Sequence, residues 1–270
     1  MLGSELAEKF AAHATKFGAD IRPFTRVEKV RKVEDGTFET SLESGDIHRS
    51  PAVIITAGGT PVKLEVPGEF EYAGKGVSYC AICDGAFFKG HTIIVVGGGD
   101  AACEEADFLT RYAAKVYLVH RRHAFRASKI VQQRLFANPK IEVVWDTVVE
   151  EIVGADGLMT HARLKHLPTD SSRDLDATGI FIFVGFKPNT GVIEGHVEHD
   201  AAGYLLTDAN MQTSIPGLFA AGDVRVQLTR QVTTAVGDAT TAAITAEKYL
   251  TARKNGQPAP AAVPMLGVGA

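Results

Sequence analysis

Residues 79–109 read YCAICDGAFFKGHTIIVVGGGDAACEEADFL, and the organisation of the whole chain depends on this stretch. Cys80 and Cys83 form a C-x-x-C pair near its start. Residues 97–102 form a G-x-G-x-x-A turn, which follows an apolar strand and opens a helix. A pair of thiols capable of redox chemistry therefore lies one element ahead of a dinucleotide site, and the sequence predicts that electrons pass between them.

The glycine turn has the context that a dinucleotide site needs, although a generic glycine loop is the alternative. A buried strand is predicted before it, a helix after it and a second strand after the helix. In such a unit Gly97 allows the tight turn, Gly98 lets the main chain approach a pyrophosphate and Ala102 keeps the helix close to the sheet. The phosphates then lie at the helix N-terminus. The predicted cofactor contacts in this turn are Gly97, Gly98, Gly99, Asp100, Ala101 and Ala102.

The end of the second predicted strand decides which dinucleotide binds. An NAD site needs a carboxylate there for the ribose 2′-hydroxyl, whereas this chain has His120, Arg121 and Arg122, with Arg126 shortly after. Cations suit the 2′-phosphate of NADP, and arginine offers it a planar fork of donors. The sequence therefore predicts NADPH at these four residues, and a solvated basic cluster is the alternative.

The C-x-x-C pair is predicted to be redox-active. A structural zinc site, the alternative, needs four ligands, but the chain has no second C-x-x-C and no histidine pair at finger-like spacing. A redox pair needs a thiolate to attack and an acid to handle protons, and Asp84 is adjacent for the second task. A plain turn residue is the alternative role for Asp84. Cys103 is predicted to be a small buried hydrophobe.

Size and charge argue against several classes of protein. The chain has 270 residues, which allows two domains, and its formal net charge of -4 argues against nucleic acid or an anionic membrane as the main partner. No apolar run approaches the roughly 20 residues of a membrane-spanning helix, and the first ten residues do not read as a secretory signal. A cytoplasmic location is expected, where a bonded cysteine pair is more often catalytic than structural.

Apolar periodicity predicts a mixture of helices and strands. The predicted helices are 4–17, 100–112, 128–136 and 235–249. The predicted strands are 38–42, 52–56, 92–96, 116–119, 141–144, 148–153, 162–167, 180–184 and 218–221. Proline and glycine in 60–68 and 185–189 predict two domain junctions, and the Pro/Ala/Gly-rich stretch 253–270 predicts a disordered tail.

A second glycine motif lies near the C-terminus. Residues 220–223 read AAGD and follow a predicted strand, and Arg230, Gln231 and Val232 come shortly after. A strand that ends in Gly-Asp offers a carboxylate to a ribose or ribityl hydroxyl, and main-chain amides after it can reach a flavin. Turns that end in Gly-Asp are common, so this motif is interpretable only together with the others.

These motifs together resemble the bacterial-type, low-molecular-weight thioredoxin reductases. CAICDG at 80–85 resembles the family's active-site motif, and GGGDAACEEA with HRRHAFR resembles its NADPH site. GFKPNT at 185–190 resembles its second crossing between domains, and TSIPGLFAAGDV with TRQV resembles its FAD site. The resemblance implies an α/β fold of two nucleotide-binding, Rossmann-like domains, with an NADPH domain inserted into a truncated FAD domain.

The resemblance also implies domain bounds and a function. Residues 1–64 and 186–252 would form the FAD domain, and 65–185 the NADPH domain with the C-x-x-C pair, followed by the tail. Electrons would pass from NADPH through FAD to the Cys80–Cys83 disulfide, then to oxidised thioredoxin or a thioredoxin-like protein, in a homodimer. Cys80 would face the protein substrate, Cys83 would contact the flavin and Asp84 would be the acid. The implied FAD contacts are Thr56, Ala57, Gly58, Gly222, Asp223, Arg230, Gln231 and Val232.

The N-terminus departs from the family pattern. The family begins with a strand, a G-x-G-x-x-G turn and a helix that bind the ADP half of FAD, whereas 1–17 resembles the helix that follows this unit. The expectation is a thioredoxin reductase that lacks its N-terminal FAD-binding unit. The alternatives are a flavin-free remnant that binds NADP(H) as a non-catalytic redox sensor, the core of a peroxide-reductase flavoprotein subunit, and a zinc-stapled structural domain.

Overall fold

The computed structural model describes residues 3–264 and divides the chain into two compact units. Unit 1 comprises Met1–Gly59 and Pro188–Ala270, and unit 2 is the intervening stretch Thr60–Lys187. The family resemblance implies boundaries after residues 64 and 185, whereas this division falls after residues 59 and 187.

Helices and strands alternate only in the middle of the chain, from residue 77 to residue 144. The α-helices, α1 to α5 in chain order, are Gly3–Lys16, Ala81–Asp84, Asp100–Leu109, Lys129–Ala137 and Val232–Lys254. The strands, β1 to β15, are Val27–Lys32, Phe38–Leu42, Ile47–Ser50, Val53–Ile55, Gly59–Pro61, Val77–Ser78, Thr92–Gly97, Lys115–Val119, Ile141–Val144, Thr147–Ala155, Leu158–His166, Ser171–Asp176, Gly179–Phe183, Phe186–Pro188 and Leu218–Ala220. Two 3-10 helices cover Gly85–Phe88 and Gly222–Val224.

A five-stranded sheet forms the centre of unit 2. Its order is β6-β13-β7-β8-β9, and all neighbouring strands in it are parallel. Strand β7, predicted from its continuous apolar run, is confirmed and is covered on both faces. Ile93 and Val95 pack with buried residues of α3 and α4, while Ile94 and Val96 pack with a second sheet. Because the strands are parallel, the segments that follow β6, β7 and β8 start at one edge of the sheet.

The second sheet of unit 2 is antiparallel and consists of β10, β11 and β12. Strand β12 was not predicted, because SSRDLD has no run of apolar residues. It forms because it pairs with β11 along its whole length, and Arg163 on β11 lies 3.1 Å from the carboxylate of Asp174. Tertiary pairing therefore supplies the strand that local sequence does not indicate.

Unit 1 contains the antiparallel sheet β1-β2-β3 and the parallel pair β4 and β15. Phe219 of β15 is buried with Ala242 and Tyr249 of α5. Helix α5 begins at Val232, three residues before the predicted start, because Gln231 and Thr234 form a capping box around its first turn. The parallel pairing places the ends of β4 and β15, and thus the predicted FAD residues at 56–58 and 222–223, at one edge.

The termini differ in part from the prediction. Helix α1 ends at Lys16, shortly before Gly18 with its positive φ of 86°. Helix α5 continues to Lys254, two residues into the predicted tail, and Val263 donates a hydrogen bond to the Asp208 carboxylate at 2.9 Å. The rest of that predicted tail, 265–270, lies outside the described residues. Across residues 3–264, no helix combines the length and apolarity needed to cross a membrane.

Candidate functional site

A disulfide joins Cys80 and Cys83, whose Cα atoms are 5.3 Å apart. Cys80 comes two residues after the end of β6 and caps helix α2, where its Sγ accepts a hydrogen bond from Cys83 N at 3.1 Å. Cys80 is half-buried and Cys83 is exposed. The bond is thus held in a short helical turn and can be reached by a second thiol.

A buried serine connects Asp84 to the cysteine pair. The Ser78 hydroxyl donates to Asp84 Oδ2 at 2.6 Å and accepts from Cys80 N at 3.1 Å. Asp84 N in turn donates to Cys80 O at 3.1 Å. These bonds hold the carboxylate beside the C-x-x-C loop, within reach of proton exchange there. Sequence analysis missed Ser78, although its position two residues before Cys80 was a usable signal.

Two exposed apolar side chains lie close to the disulfide along the chain. Ile82, between the two cysteines, is 62% exposed, and Phe87, in the following 3-10 helix, is 79% exposed. Large apolar side chains left in water mark surfaces that contact other molecules. The surroundings of the disulfide therefore suit a protein partner.

The glycine turn after β7 has the shape of a phosphate cradle. Gly97 has a φ of 154°, and a Cβ there would overlap Ala102 and the main chain of Phe183. A Cβ on Gly98 would overlap the imidazole of His120. Gly99 caps helix α3 and has open space around it. The turn therefore admits only glycine where the main chain is crowded, and it presents the free amides of the first helical turn to a ligand.

Asp100 fixes the loop that carries the predicted cations. Its carboxylate accepts a hydrogen bond from Ser128 N at 2.8 Å, and this bond lowers the pKa of Asp100. Arg126 N donates to Gly98 O at 2.8 Å, which ties the same loop to the glycine turn. Asp100 thus has a protein partner, and its role at the predicted site is to hold the loop.

The basic residues after β8 divide into one buried and three exposed. His120 is 7% exposed, its ring centroid lies 5.2 Å from that of Phe125, and its Nε2 bonds the Ala124 carbonyl at 3.0 Å. Burial is the main cause that lowers the pKa of His120, so its neutral form is favoured. Arg121, Arg122 and Arg126 are exposed, and they supply positive charge beside the glycine turn.

Cys103 lies on the buried side of helix α3, as predicted. Burial first, and then the charges of Asp100 and Glu104, raise the pKa of its thiol to about 11. It therefore stays protonated at neutral pH and is a poor nucleophile.

The predicted FAD residues all belong to unit 1. Thr56, Ala57 and Gly58 follow β4, while Gly222 and Asp223 follow β15 in a 3-10 turn. Gly222 has a φ of 75°, which favours glycine, and its N–H donates to Asp238 at 3.1 Å. Burial raises the pKa of the Asp223 carboxyl, whose Oδ1 accepts a bond from Gln227 at 3.1 Å.

An ion pair that the sequence did not indicate supports this turn. Arg225 is 3% exposed and pairs with Asp238 at 3.1 Å, while its Nε donates to the Thr207 hydroxyl at 2.8 Å. Asp238 therefore accepts from both the turn and the guanidinium. Arg225 and Asp238 are 13 residues apart, the first directly after the Gly222–Val224 turn and the second on helix α5. No local sequence pattern indicates this pair, and only the tertiary structure brings the two side chains together.

The remaining predicted FAD residues begin helix α5. Arg230 lies over the ring of Tyr204, with 4.4 Å from the guanidinium carbon to the ring centroid. Gln231 is the N-cap of α5, and Val232, 56% exposed, is its first residue. These residues thus combine a positive charge with a helix N-terminus in the same unit as Asp223.

The residues of unit 2 fit NADPH, and those of unit 1 fit the hydroxyl groups and an anionic group of FAD. The glycine turn leaves no room for Cβ atoms at Gly97 and Gly98 and has exposed arginines after the next strand, as NADPH requires. In unit 1, Asp223 can accept bonds from sugar or ribityl hydroxyls, and the N-terminus of α5 suits an anionic group. The predicted catalytic and NADPH residues lie in unit 2, and the predicted FAD residues lie in unit 1.

Known proteins are similar to this chain over most of its length. The model of the family described as pyridine nucleotide-disulphide oxidoreductase matches residues 1–239. A thioredoxin reductase of Listeria monocytogenes is 43% identical over 263 residues, which are 97% of this chain and 81% of the relative. A thioredoxin reductase of Streptomyces coelicolor is 43% identical over 255 residues, which are 93% of this chain and 78% of the relative.

Solved structures give a similar result. The crystal structure of a thioredoxin reductase from Streptococcus pyogenes matches with a TM-score of 0.88 at 42% identity, and the match covers 93% of this chain and 81% of that one. A thioredoxin reductase from Giardia duodenalis matches with a TM-score of 0.86 at 36% identity, covering 93% and 82% respectively. Both likenesses extend over the two units.

Proposed function

The chain belongs to the pyridine nucleotide-disulphide oxidoreductase family and, within it, to the thioredoxin reductases, and from this premise we propose how its residues carry out the reaction. It is a thioredoxin-disulfide reductase that uses NADPH and FAD. The net reaction converts NADPH, a proton and a thioredoxin disulfide into NADP+ and a thioredoxin dithiol. The observation that carries the assignment is the Cys80–Cys83 disulfide, which follows a strand of the sheet that also carries the glycine turn.

The cysteine pair exchanges electrons with the protein substrate. The Cys80 thiolate attacks one sulfur of the thioredoxin disulfide, forming a mixed disulfide and releasing one thioredoxin thiolate. Cys83 then attacks the Cys80 sulfur, which restores the Cys80–Cys83 bond and releases the second thiolate. The protons that the two cysteine thiols give up end on thioredoxin, and Asp84, held by Ser78, is placed to relay them. The order of the two cysteines follows the family resemblance.

The cofactor residues divide between the units. In unit 2, the glycine turn at residues 97–102 would hold the pyrophosphate of NADPH, and the arginines after β8 would hold its 2′-phosphate. In unit 1, Asp223 would accept bonds from FAD hydroxyls, and Arg230 and the N-terminus of α5 would bind an anionic group of FAD. The chemistry that FAD supplies when bound is transfer of an electron pair between a nicotinamide and a disulfide. A homodimer in the cytoplasm is part of the proposal, and the family resemblance is its support.

The partner surface is proposed around the disulfide. Exposed Ile82 and Phe87 give it apolar area, and Cys80, the sulfur that attacks thioredoxin, is half-buried beside them while Cys83 is exposed. Thioredoxin, or a protein like it, would cover this surface while its own disulfide meets the cysteine pair.

The test is turnover of the purified chain with NADPH, added FAD and oxidised thioredoxin. NADPH absorbance and new thioredoxin thiols are measured together, and the visible spectrum reports bound flavin. Turnover is expected, with a loss of at least about 1,000-fold in Cys80→Ser and in Cys83→Ser. Cys103→Ser, which removes the buried thiol on α3, is the matched control and should remain active.

Two outcomes would contradict the assignment. Bound flavin and oxidised NADPH without new thioredoxin thiols would exclude thioredoxin as the substrate. NADPH binding with no flavin and no turnover would favour a non-catalytic binding module.

A further inference from the structure

A buried carboxylate in unit 2 joins residues 64–65 to Tyr79, further along the chain. Glu69 is 4% exposed and accepts three hydrogen bonds. Two come from the main-chain N–H groups of Leu64 and Glu65, at 3.1 and 2.6 Å, and the third from the Tyr79 hydroxyl at 2.7 Å. The first segment opens unit 2, and Tyr79 is the residue before Cys80.

The bonds to the first segment hold an unusual backbone. Glu65 has a φ of 60°, in the left-handed region that residues other than glycine seldom occupy. Its N–H makes the 2.6 Å bond to Glu69, so the carboxylate stabilises a conformation that costs free energy. A buried anion with three donors around it is in turn well satisfied.

Tyr79 is held from two sides. Its hydroxyl donates to Glu69, and Lys63 Nζ lies 3.5 Å from the centroid of its ring. Burial first, and then the bond and charge of Glu69, raise the pKa of Tyr79, so the hydroxyl keeps the proton that it donates. The charge of Lys63 partly balances that of Glu69 across the ring.

Strand β6 ends at Ser78, so the sheet does not fix Tyr79. The Ser78 hydroxyl accepts a hydrogen bond from Cys80 N. Tyr79, which lies between these two residues, is held by the bond from its side-chain hydroxyl to Glu69. We propose that Glu69 and Tyr79 are positioning residues for the redox pair: their bond fixes the backbone before Cys80 and thereby favours closure of the Cys80–Cys83 disulfide. The inference rests on the proposed redox role of that pair.

The closure equilibrium tests this role directly. The purified chain of 270 residues is equilibrated with mixtures of oxidised and reduced dithiothreitol, and the reduced fraction of Cys80 and Cys83 is measured by thiol labelling and peptide mass. In Tyr79→Phe, which removes only the hydroxyl, the equilibrium constant for disulfide formation should fall about threefold to tenfold because closure must restrain a looser backbone. At 29.6 mV per tenfold, the reduction potential rises by about 14 to 30 mV.

Tyr117→Phe is the matched control. Tyr117 is a half-buried tyrosine in the same unit with Lys115 Nζ 5.3 Å from its ring centroid, and it lies on β8. In Tyr117→Phe, the reduction potential of the Cys80–Cys83 pair should equal that of the wild-type chain. Glu69→Gln should shift the potential in the same direction as Tyr79→Phe, and the double variant should shift it by less than the sum of the two. If circular dichroism shows either variant unfolded, Lys63→Met, at an exposed position, carries the test with a smaller shift of the same sign.

Different results would contradict the positioning role of Tyr79 and the proposed function of the disulfide. Equal potentials in the wild-type chain and Tyr79→Phe would overturn the positioning role, even if the variant unfolds at a lower temperature, because the bond would then serve stability only. A wild-type pair that dithiothreitol cannot reduce would overturn the proposed function and the inference with it.

Discussion

Arginines follow a strand in both units, but their surroundings differ. In unit 1, Arg225 is 3% exposed and bonds Asp238 and Thr207. In unit 2, Arg121 and Arg122 directly follow buried His120 and are both exposed. One guanidinium is therefore enclosed by the protein, while the other two are available to an anion from solution.

The difference shows how burial assigns a role to the same side chain. A guanidinium out of water is tolerable only when its donors are satisfied, and the two named partners of the Arg225 side chain, Thr207 and Asp238, come from separate stretches of unit 1. Asp238 also accepts a hydrogen bond from Gly222 N, so the ion pair supports the Gly222–Val224 turn. The exposed arginines contribute little to stability and can make charge-assisted bonds to a phosphate.

Breaking the buried pair should have the largest effect. Arg225→Met leaves the Asp238 carboxylate without its cation, and removal of one partner from a buried pair costs about 3–5 kcal/mol of unfolding free energy. Urea unfolding followed by circular dichroism measures this loss.

The control for that variant is an exposed pair. Arg163 bridges Glu151 and Asp174 in unit 2 with 43% of its side chain exposed. Arg163→Met should therefore cost no more than about 1 kcal/mol. Equal losses of unfolding free energy in Arg225→Met and Arg163→Met would show that burial does not decide how much an arginine ion pair contributes to stability.

Removing the exposed arginines should change binding and leave stability nearly intact. The double variant Arg121→Ala, Arg122→Ala loses the cations proposed for the 2′-phosphate, so the Kd for NADPH should rise about 10- to 100-fold. The Kd for NADH, which has no 2′-phosphate, should stay the same. Calorimetric titration with both nucleotides measures the ratio.

Arg173→Ala, which removes an exposed arginine of β12, is the control for this loss of charge. It should leave the ratio of the two dissociation constants unchanged. If the double variant weakens NADH and NADPH equally, the arginines do not read the 2′-phosphate.

Sequence patterns predicted the parts of the fold that local physics determines. The apolar run of β7 predicts a strand buried on both faces, and the glycines after it predict the crowded turn, because no Cβ fits at Gly97 or Gly98. The C-x-x-C spacing predicted a redox pair, and the disulfide is present. Each of these signals lies within a few neighbouring residues.

The features that were missed depend on contacts between distant segments. Strand β12 exists because β11 pairs with it. Asp238 looks like an ordinary surface carboxylate in the sequence, and only the fold surrounds it with donors. A buried charge leaves no local pattern, because its partners come from other elements.

The smallest expected effect concerns His120, the buried neighbour of the exposed arginines. Burial lowers its pKa in the folded chain, so the unfolded chain takes up a proton first as the pH falls. The contribution to stability is present in full above the unfolded pKa of about 6.5 and is lost as the pH falls below it, by at most about 1.4 kcal/mol per pH unit. His120→Gln, which cannot titrate, should show a weaker loss between pH 7.5 and 5.5.

Unfolding midpoints in urea at pH 7.5, 6.5 and 5.5 measure this dependence, and His123→Gln, an exposed histidine on the same loop, should behave like the wild-type chain. Protonation of His120 would also affect the glycine turn. Its imidazole occupies the space beside Gly98, so a proton on the ring places a charge against the turn proposed for the pyrophosphate. If His120→Gln and the wild-type chain lose the same stability between pH 7.5 and 5.5, titration of His120 does not cause the loss. The difference in burial between His120 and its neighbours Arg121 and Arg122 then has no effect on the pH dependence of stability.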